Sequence, residues 1–214
     1  MKQCYLIGIG PGHPDFLTQQ AAAAMRRVDV FFLLEKDGRG KDELTALRRE
    51  IMRRVTPQGG YREVSVPSPP RPRAVDQGGA AYRAIVADWH ARKRRIFADL
   101  LNREVAAGEI CGLLLWGDPT LYDQTVAMVE RVVRELPEPV GLTVIPGISA
   151  VQVLVARHRI PLNRVGESIS VITGREAEQV DPASVHNAVV MLDYNASFQR
   201  FVGQDMDIYW GGYL

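Results

Sequence analysis

The feature that most constrains this chain is an almost unbroken apolar run, Ile110-Cys111-Gly112-Leu113-Leu114-Leu115-Trp116, ending on Gly117-Asp118-Pro119. A strand without polar alternation is one buried on both faces, and such strands belong to parallel sheets covered by helices. A second run of this kind lies at Val28–Leu34, and further strand-like runs at Cys4–Ile9, Arg62–Val66, Leu142–Ile145, Ser168–Thr173, Ala188–Leu192 and Asp207–Trp210. Apolar residues at helical spacing predict helices over Asp15–Arg27, Lys41–Val55, Gly79–Ala107, Leu121–Glu135 and Ala150–His158. Strands and helices that alternate in this way predict an α/β fold with a mainly parallel sheet. Pro67-Ser68-Pro69-Pro70-Arg71-Pro72 is excluded from helix and from central strand, because proline lacks the N–H and fixes φ. Beyond Pro161 the pattern turns more strand-rich, which predicts two domains, residues 1–149 and a smaller α/β unit over 150–214.

Charge and composition narrow the function classes. The chain has 214 residues, 26 Lys+Arg against 25 Asp+Glu, a net charge of +1, and 46% hydrophobic residues. These proportions are those of a folded protein rather than a disordered one. A nucleic-acid binder would carry a larger basic excess, so no nucleic-acid partner is expected. A spanning helix needs roughly 20 apolar residues, and no run approaches that length. The N-terminal run Cys4–Pro11 is too short and too broken by Gly and Pro for a signal peptide. A cytoplasmic location without a membrane partner is therefore expected. Cys4 and Cys111 sit in strand-like runs and read as buried free thiols. No Cys/His cluster has metal-ligand spacing, so no metal is expected.

Three glycine-bearing turns follow strands. The first, Gly8-Ile9-Gly10-Pro11-Gly12-His13-Pro14-Asp15, opens a helix with Asp15 as the expected N-cap. It is not a dinucleotide fingerprint, since His13 stands at the third glycine position, and Pro11 removes a donor that a phosphate would need. The second, Trp116-Gly117-Asp118-Pro119-Thr120-Leu121-Tyr122, puts an acidic residue at the carboxyl end of a buried strand, where open α/β sheets bind ligands. The third is Pro146-Gly147-Ile148-Ser149-Ala150, whose small side chains allow a ligand close to the backbone.

Taken in this order, Gly8-Ile9-Gly10-Pro11-Gly12 with Leu17-Thr18, Gly117-Asp118-Pro119, and Pro146-Gly147-Ile148-Ser149-Ala150 resemble the tetrapyrrole methylase family over nearly the whole chain. Asp29–Lys36, Tyr82-Arg83, Asp88-Trp89-His90, Ala156–Arg164 and Tyr209–Leu214 resemble one branch of it in particular. The resemblance implies two α/β domains with an S-adenosylmethionine cleft between them. It also implies a homodimer and a C-methylation of a corrin precursor. For the branch, that reaction is methylation of C1 of precorrin-5 with release of acetate. The alternatives are another precorrin or uroporphyrinogen methylation, or a tetrapyrrole-binding relative without turnover. The family's chains continue past the stretch matching Gly211-Gly212-Tyr213-Leu214, so the second domain is expected to be incomplete at its end.

By the same resemblance Gly117, Asp118 and Leu121 contact the cofactor, Ser149 and Ala150 line its pocket, and Pro11 lies at its edge. Asp193 falls where the family supplies a methionine, with Met191 two positions earlier. Acetate release needs a base acting on water, for which His13, Asp15 and Tyr122 are the candidates, with His90 and Asp88 as a second pair. Gly10 and Gly12 are expected at the substrate. Its carboxylates are expected to meet Arg71, Arg73, Arg92, Arg95 and Arg157, with Arg94 and Arg164 as further partners, because guanidinium binds carboxylate bidentately.

Overall fold

The computed structural model describes residues 1–35, 41–70, 80–212 and 214. The chain divides into two compact units, Met1–Ser149 and Ala150–Leu214. The first holds a sheet of five parallel strands, β1 (Lys2–Gly8), β2 (Val30–Glu35), β3 (Arg62–Pro67), β4 (Ile110–Leu115) and β5 (Val140–Ile145), in the order β3-β2-β4-β1-β5. Helices α1 (Gln19–Met25), α2 (Lys41–Val55), α3 (Ala80–Arg103) and α4 (Thr125–Glu135) connect them.

Right-handed crossovers dictate where the helices go. From β1 to β3 the chain moves outward, and from β3 to β5 it moves back across the sheet. The two directions put α1 and α2 on one face and α3 and α4 on the other. Strand alternation then feeds two cores. Cys4, Leu6, Val30, Phe32, Cys111 and Leu113 pack with Phe97, Leu101, Met128 and Val132 from α3 and α4. Tyr5, Ile7, Phe31, Leu33 and Leu114 pack with Ala21, Met25, Ile51 and Met52 from α1 and α2. Burying the central strands on both faces is what the unbroken apolar runs require. Cys4 and Cys111 are register partners across β1 and β4 and are buried free thiols. Their mutual hydrogen bond, and then burial, push the Cys111 thiol far above its ordinary pKa.

The second unit contains α5 (Ala150–His158) and a parallel pair, β6 (Ser170–Thr173) with β7 (Ala188–Met191). The four-residue helix α6 (Gly174–Ala177) is closed by a capping box between Thr173 and Glu176. Asp193 accepts from the N–H groups of Ser197 (2.9 Å) and Phe198 (3.2 Å) and so caps the 3-10 turn Ser197–Phe201.

Four local expectations are corrected. The helix expected over Asp15–Arg27 is broken into a 3-10 turn, Pro14–Phe16, and α1, because Leu17 and Thr18 are extended. Thr18 rather than Asp15 is the N-cap of α1, accepting from Ala21 N–H at 3.0 Å. The helix expected from Leu121 starts at Thr125, because Tyr122 takes a left-handed conformation (φ 53) that a helix cannot hold. Asp207–Trp210 is exposed and forms no strand, and no other strand pairs with it among the described residues.

Glycines set how closely the strand ends meet. A Cβ at Gly147 would stand 2.1 Å from the Gly117 carbonyl oxygen and 2.9 Å from the Gly8 Cα, both fixed backbone. At Gly141 a Cβ would meet only the amide end of Gln3, at 2.3 Å, which can rotate away. Gly147→Ala is expected to lower stability by about 3 kcal/mol or to prevent folding, and Gly141→Ala by about 1 kcal/mol or less. Urea unfolding of the two variants checks this, and equal midpoints would refute the packing account.

Candidate functional site

The carboxyl ends of β4, β1 and β5, three neighbouring strands that run from the middle of the sheet to its β5 edge, carry the three glycine turns. Each is latched to the next. Gly10 and Gly117 exchange backbone hydrogen bonds, Gly117 N–H to Gly10 O at 2.7 Å and Gly10 N–H to Gly117 O at 3.3 Å. Their φ values of 78° and 64° are ones glycine adopts without the penalty of a Cβ. Asp118 then ties the second turn to the third by accepting from Gly147 N–H at 2.8 Å through Oδ2. Its Oδ1 accepts from the Thr120 N–H at 2.8 Å and from the Thr120 hydroxyl. Leu121 N–H closes the turn on Asp118 O at 3.2 Å, with Pro119 in the position where its fixed φ suits a turn. Burial opposes the Asp118 charge, but the three donors outweigh it and hold the carboxyl below its ordinary value.

This arrangement leaves backbone and small residues at the rim. An added Cβ at Gly117 would make only ordinary contact, with the Ser149 Cα at 3.8 Å as its nearest neighbour. Ser149 is 6% exposed. With Pro11 and Leu121 half-buried, this rim offers a ligand backbone groups and small side chains rather than charge.

His13 and Asp15 lie on the first turn, their side chains 56% and 79% exposed. His13 Nδ1 accepts from the Asp15 N–H at 3.3 Å, which assigns the proton of the neutral ring to Nε2. Tyr122, 40% exposed, owes its position to its left-handed backbone, an uncommon state for a bulky residue. The sheet edge thus gathers Gly10, Pro11, Gly12, His13, Asp15, Gly117, Asp118, Leu121, Tyr122 and Ser149 from three loops. Ala150 and Asp193 belong to the second unit, as do Met191 and exposed Arg157. Arg92 pairs with Asp88 at 3.0 Å on α3 while its Nε is buried without an acceptor among the described residues, and Arg95 is exposed on the same helix. Arg71 and Arg73 lie outside the described residues.

Sequence reasoning missed the partners of Asp118 and one cation. Arg48 of α2 donates from Nε to the Leu114 carbonyl at 3.2 Å and stacks on the Trp116 ring, its Cζ 4.7 Å from the centroid. Burial pushes its pKa down to about 10 against the opposing pull of Asp123. The signal was present in the sequence: Leu47, Arg48, Ile51, Met52 and Val55 follow core-facing helical spacing, with an arginine in the stripe. Among the described residues no cluster of three or more His, Cys, Asp and Glu could hold a metal ion, and no helix is long and apolar enough to cross a membrane.

Replacing Asp118 by Asn keeps the shape but turns an amide nitrogen toward a donor, and is expected to cost about 2 kcal/mol at neutral pH. Because the folded-state pKa lies below the ordinary 3.8, this stabilisation is complete above that value and is lost as pH falls through the lowered one. The gap between the urea midpoints of wild type and Asp118→Asn is therefore expected to close below about pH 4. A gap constant from pH 7 to pH 3 would show that the charge of Asp118 is not what latches the loops.

A family model for Tetrapyrrole (Corrin/Porphyrin) Methylases matches residues 3–203. The chain is 40% identical over 214 residues to a precorrin-6A synthase (deacetylating) of Sinorhizobium sp, covering all of this chain and 80% of that one. It is 26% identical over 198 residues to a cobalt-precorrin-2 C(20)-methyltransferase of Salmonella typhimurium, covering 92% of this chain and 74% of the relative. Among solved structures, one described as a cobalamin synthesis related protein (CobF) from Corynebacterium diphtheriae matches with a TM-score of 0.74 and 34% identity, over 93% of this chain and 75% of that one. Extent and identity together place the chain in a family: it belongs to the tetrapyrrole (corrin/porphyrin) methylases.

Proposed function

We propose that the protein is a C-methyltransferase that uses S-adenosylmethionine to methylate C1 of precorrin-5 and releases acetate, giving precorrin-6A. The observation that carries this is the 40% identity, over the full chain, to a precorrin-6A synthase (deacetylating). The latched glycine edge is the site such a reaction can use. Bound S-adenosylmethionine supplies an electrophilic methyl carbon. The nucleophile is a carbon of the substrate ring, so the protein has no nucleophile to supply. Holding donor and acceptor in line is its principal task, and that alone is worth on the order of 7–11 kcal/mol.

The residues divide that task. Gly117, Leu121, Ser149, Ala150 and Pro11 hold the cofactor by backbone and surface contact. Asp118 acts as a positioning residue, because its oxygens are engaged by Gly147 and Thr120 and fix the loop that offers Gly117 and Leu121. Asp193 positions the segment after β7 in the same manner, through its bonds to Ser197 and Phe198. For deacetylation, Asp15 takes a proton from the water that adds to the acetyl carbonyl; the bond from that carbonyl carbon to the ring then breaks, its electron pair passing into the conjugated ring as acetic acid leaves. The Nε2–H of His13 donates to the acetyl oxygen as it gains charge, and the Tyr122 hydroxyl is a second donor at the same edge. Gly10 and Gly12 let the substrate approach the first turn, and Arg71, Arg73, Arg92, Arg95 and Arg157 meet its carboxylates. The reading includes a cytoplasmic homodimer with a small-molecule tetrapyrrole as its partner, and no nucleic-acid or membrane partner, in keeping with the net charge of +1.

The test supplies precorrin-5 and S-adenosylmethionine carrying a labelled methyl group, locates the label by NMR and measures acetate. Label at C1 with one acetate per methyl is expected, and label at another carbon would refute the assignment. Asp15→Asn is expected to slow acetate release by about 100-fold or more while methylation in a single turnover stays within a few-fold. Unchanged acetate release in both Asp15→Asn and His13→Ala would remove this pair from the chemistry.

A further inference from the structure

The ladder between β2 and β4 stops early. It runs from Val30 opposite Cys111 to Phe32 opposite Leu113. On their other sides both strands continue, β2 with β3 to Glu35 opposite Pro67, and β4 with β1 to Gly8 opposite Leu115. The two strands therefore part at their carboxyl ends. Their outgoing loops lead to helices on opposite faces, which makes this split a topological switch point, the place where open α/β sheets receive ligands.

Arg48 fills the split. Its Nε takes the Leu114 carbonyl that the interrupted ladder frees, and its guanidinium lies over the Trp116 ring. Its two terminal nitrogens make no hydrogen bond or ion pair among the described residues. The next residue behaves differently: Arg49 bonds Glu35 at 3.1 Å, Glu63 at 2.9 Å and the Ser65 hydroxyl at 3.2 Å. Asp123, the acidic group whose charge Arg48 feels, is occupied with the N–H of Thr125 at 2.6 Å. Trp116 adds a second donor, an indole N–H that is buried and has no acceptor among the described residues. A half-buried guanidinium whose fork is unpaired among the described residues, lying over the ring that carries an unpartnered N–H, is an incomplete set, and a carboxylate suits it, since it is planar, accepts two parallel N–H bonds and has lone pairs left for a further donor.

We infer that Arg48 and Trp116, at the parting of β2 and β4, form an anchor for one carboxylate side chain of the tetrapyrrole substrate. The inference rests on the substrate class proposed above and adds a recognition point to it, beside Gly117 and away from the solvent-exposed arginines of α3.

Two measurements test it. In steady-state kinetics Trp116→Phe, which keeps the ring and removes the N–H, and Arg48→Lys, which keeps charge without the fork, are expected to raise the KM for the tetrapyrrole roughly 10- to 100-fold. Both are expected to leave kcat and the KM for S-adenosylmethionine within about twofold. Equilibrium binding of uroporphyrin, a stable tetrapyrrole octacarboxylate, is expected to weaken to a similar degree in both variants. Should Arg48→Lys fail to fold, Trp116→Phe decides alone. Folded variants with unchanged KM and unchanged uroporphyrin binding, or with a lowered melting temperature and nothing else, would make Arg48 a strut and overturn the inference. Wild type that binds no uroporphyrin overturns it as well. If wild type methylates no precorrin, the proposed function fails separately, and the uroporphyrin comparison still decides on the anchor.

Discussion

The site depends on one half-buried carboxylate. Three loops leave the neighbouring ends of β1, β4 and β5; the Gly10–Gly117 bridge fixes the first to the second, and strand pairing does not fix the third. Asp118 does so by accepting from Gly147 on one side and from Thr120 on the other. Each bond to a charged acceptor is stronger than a bond between neutral groups, and the three together outweigh the desolvation of the carboxylate. The latch closes only because Gly8 and Gly147 let backbones come within van der Waals contact, while Gly117 supplies a positive φ. Charge and absent side chains thus act jointly: the glycines allow the approach, and the aspartate holds it.

Much of the fold was legible because burial writes itself into consecutive apolar positions. The first seven expected strands exist with boundaries shifted by one or two residues, and α2 and α5 match their expected bounds. The failures share a cause. The break at Leu17-Thr18, the delayed start of α4 and the absent strand at Asp207–Trp210 are all decided by backbone conformation or by partners distant in sequence. Periodicity carries neither. The left-handed Tyr122 in particular has no signature, since a tyrosine gives no reason to expect φ 53.

The glycine turns of the candidate site were more legible than the side chains around them. The glycine turns announced themselves, and those of the first unit come together at one sheet edge. Asp118 reads in sequence as a ligand contact, and in three dimensions its oxygens are engaged by the protein. Arg48 was hidden for the opposite reason. A lone arginine within an apolar helical stripe looks like noise until the ladder beside it is seen to part, and the parting depends on strands far apart in sequence.

Under the proposed function, methyl transfer from a sulfonium favours a site poor in charge at its centre. Positive charge disappears from sulfur as the transition state forms, so a carboxylate facing sulfur would stabilise the ground state more than the transition state and slow the reaction. An aspartate tied off by three protein donors avoids that penalty and still supplies rigidity. Charge is useful farther out, against groups that do not react. Carboxylates on the substrate periphery keep the same charge throughout the reaction, so a guanidinium that binds them does so equally in ground and transition states. Such binding sets the concentration at which the enzyme works and the register in which the ring lies, and leaves the chemical step to alignment. A central rim of glycine, serine and a satisfied aspartate, with an arginine set back in the split between β2 and β4, has the distribution of charge that this reaction favours.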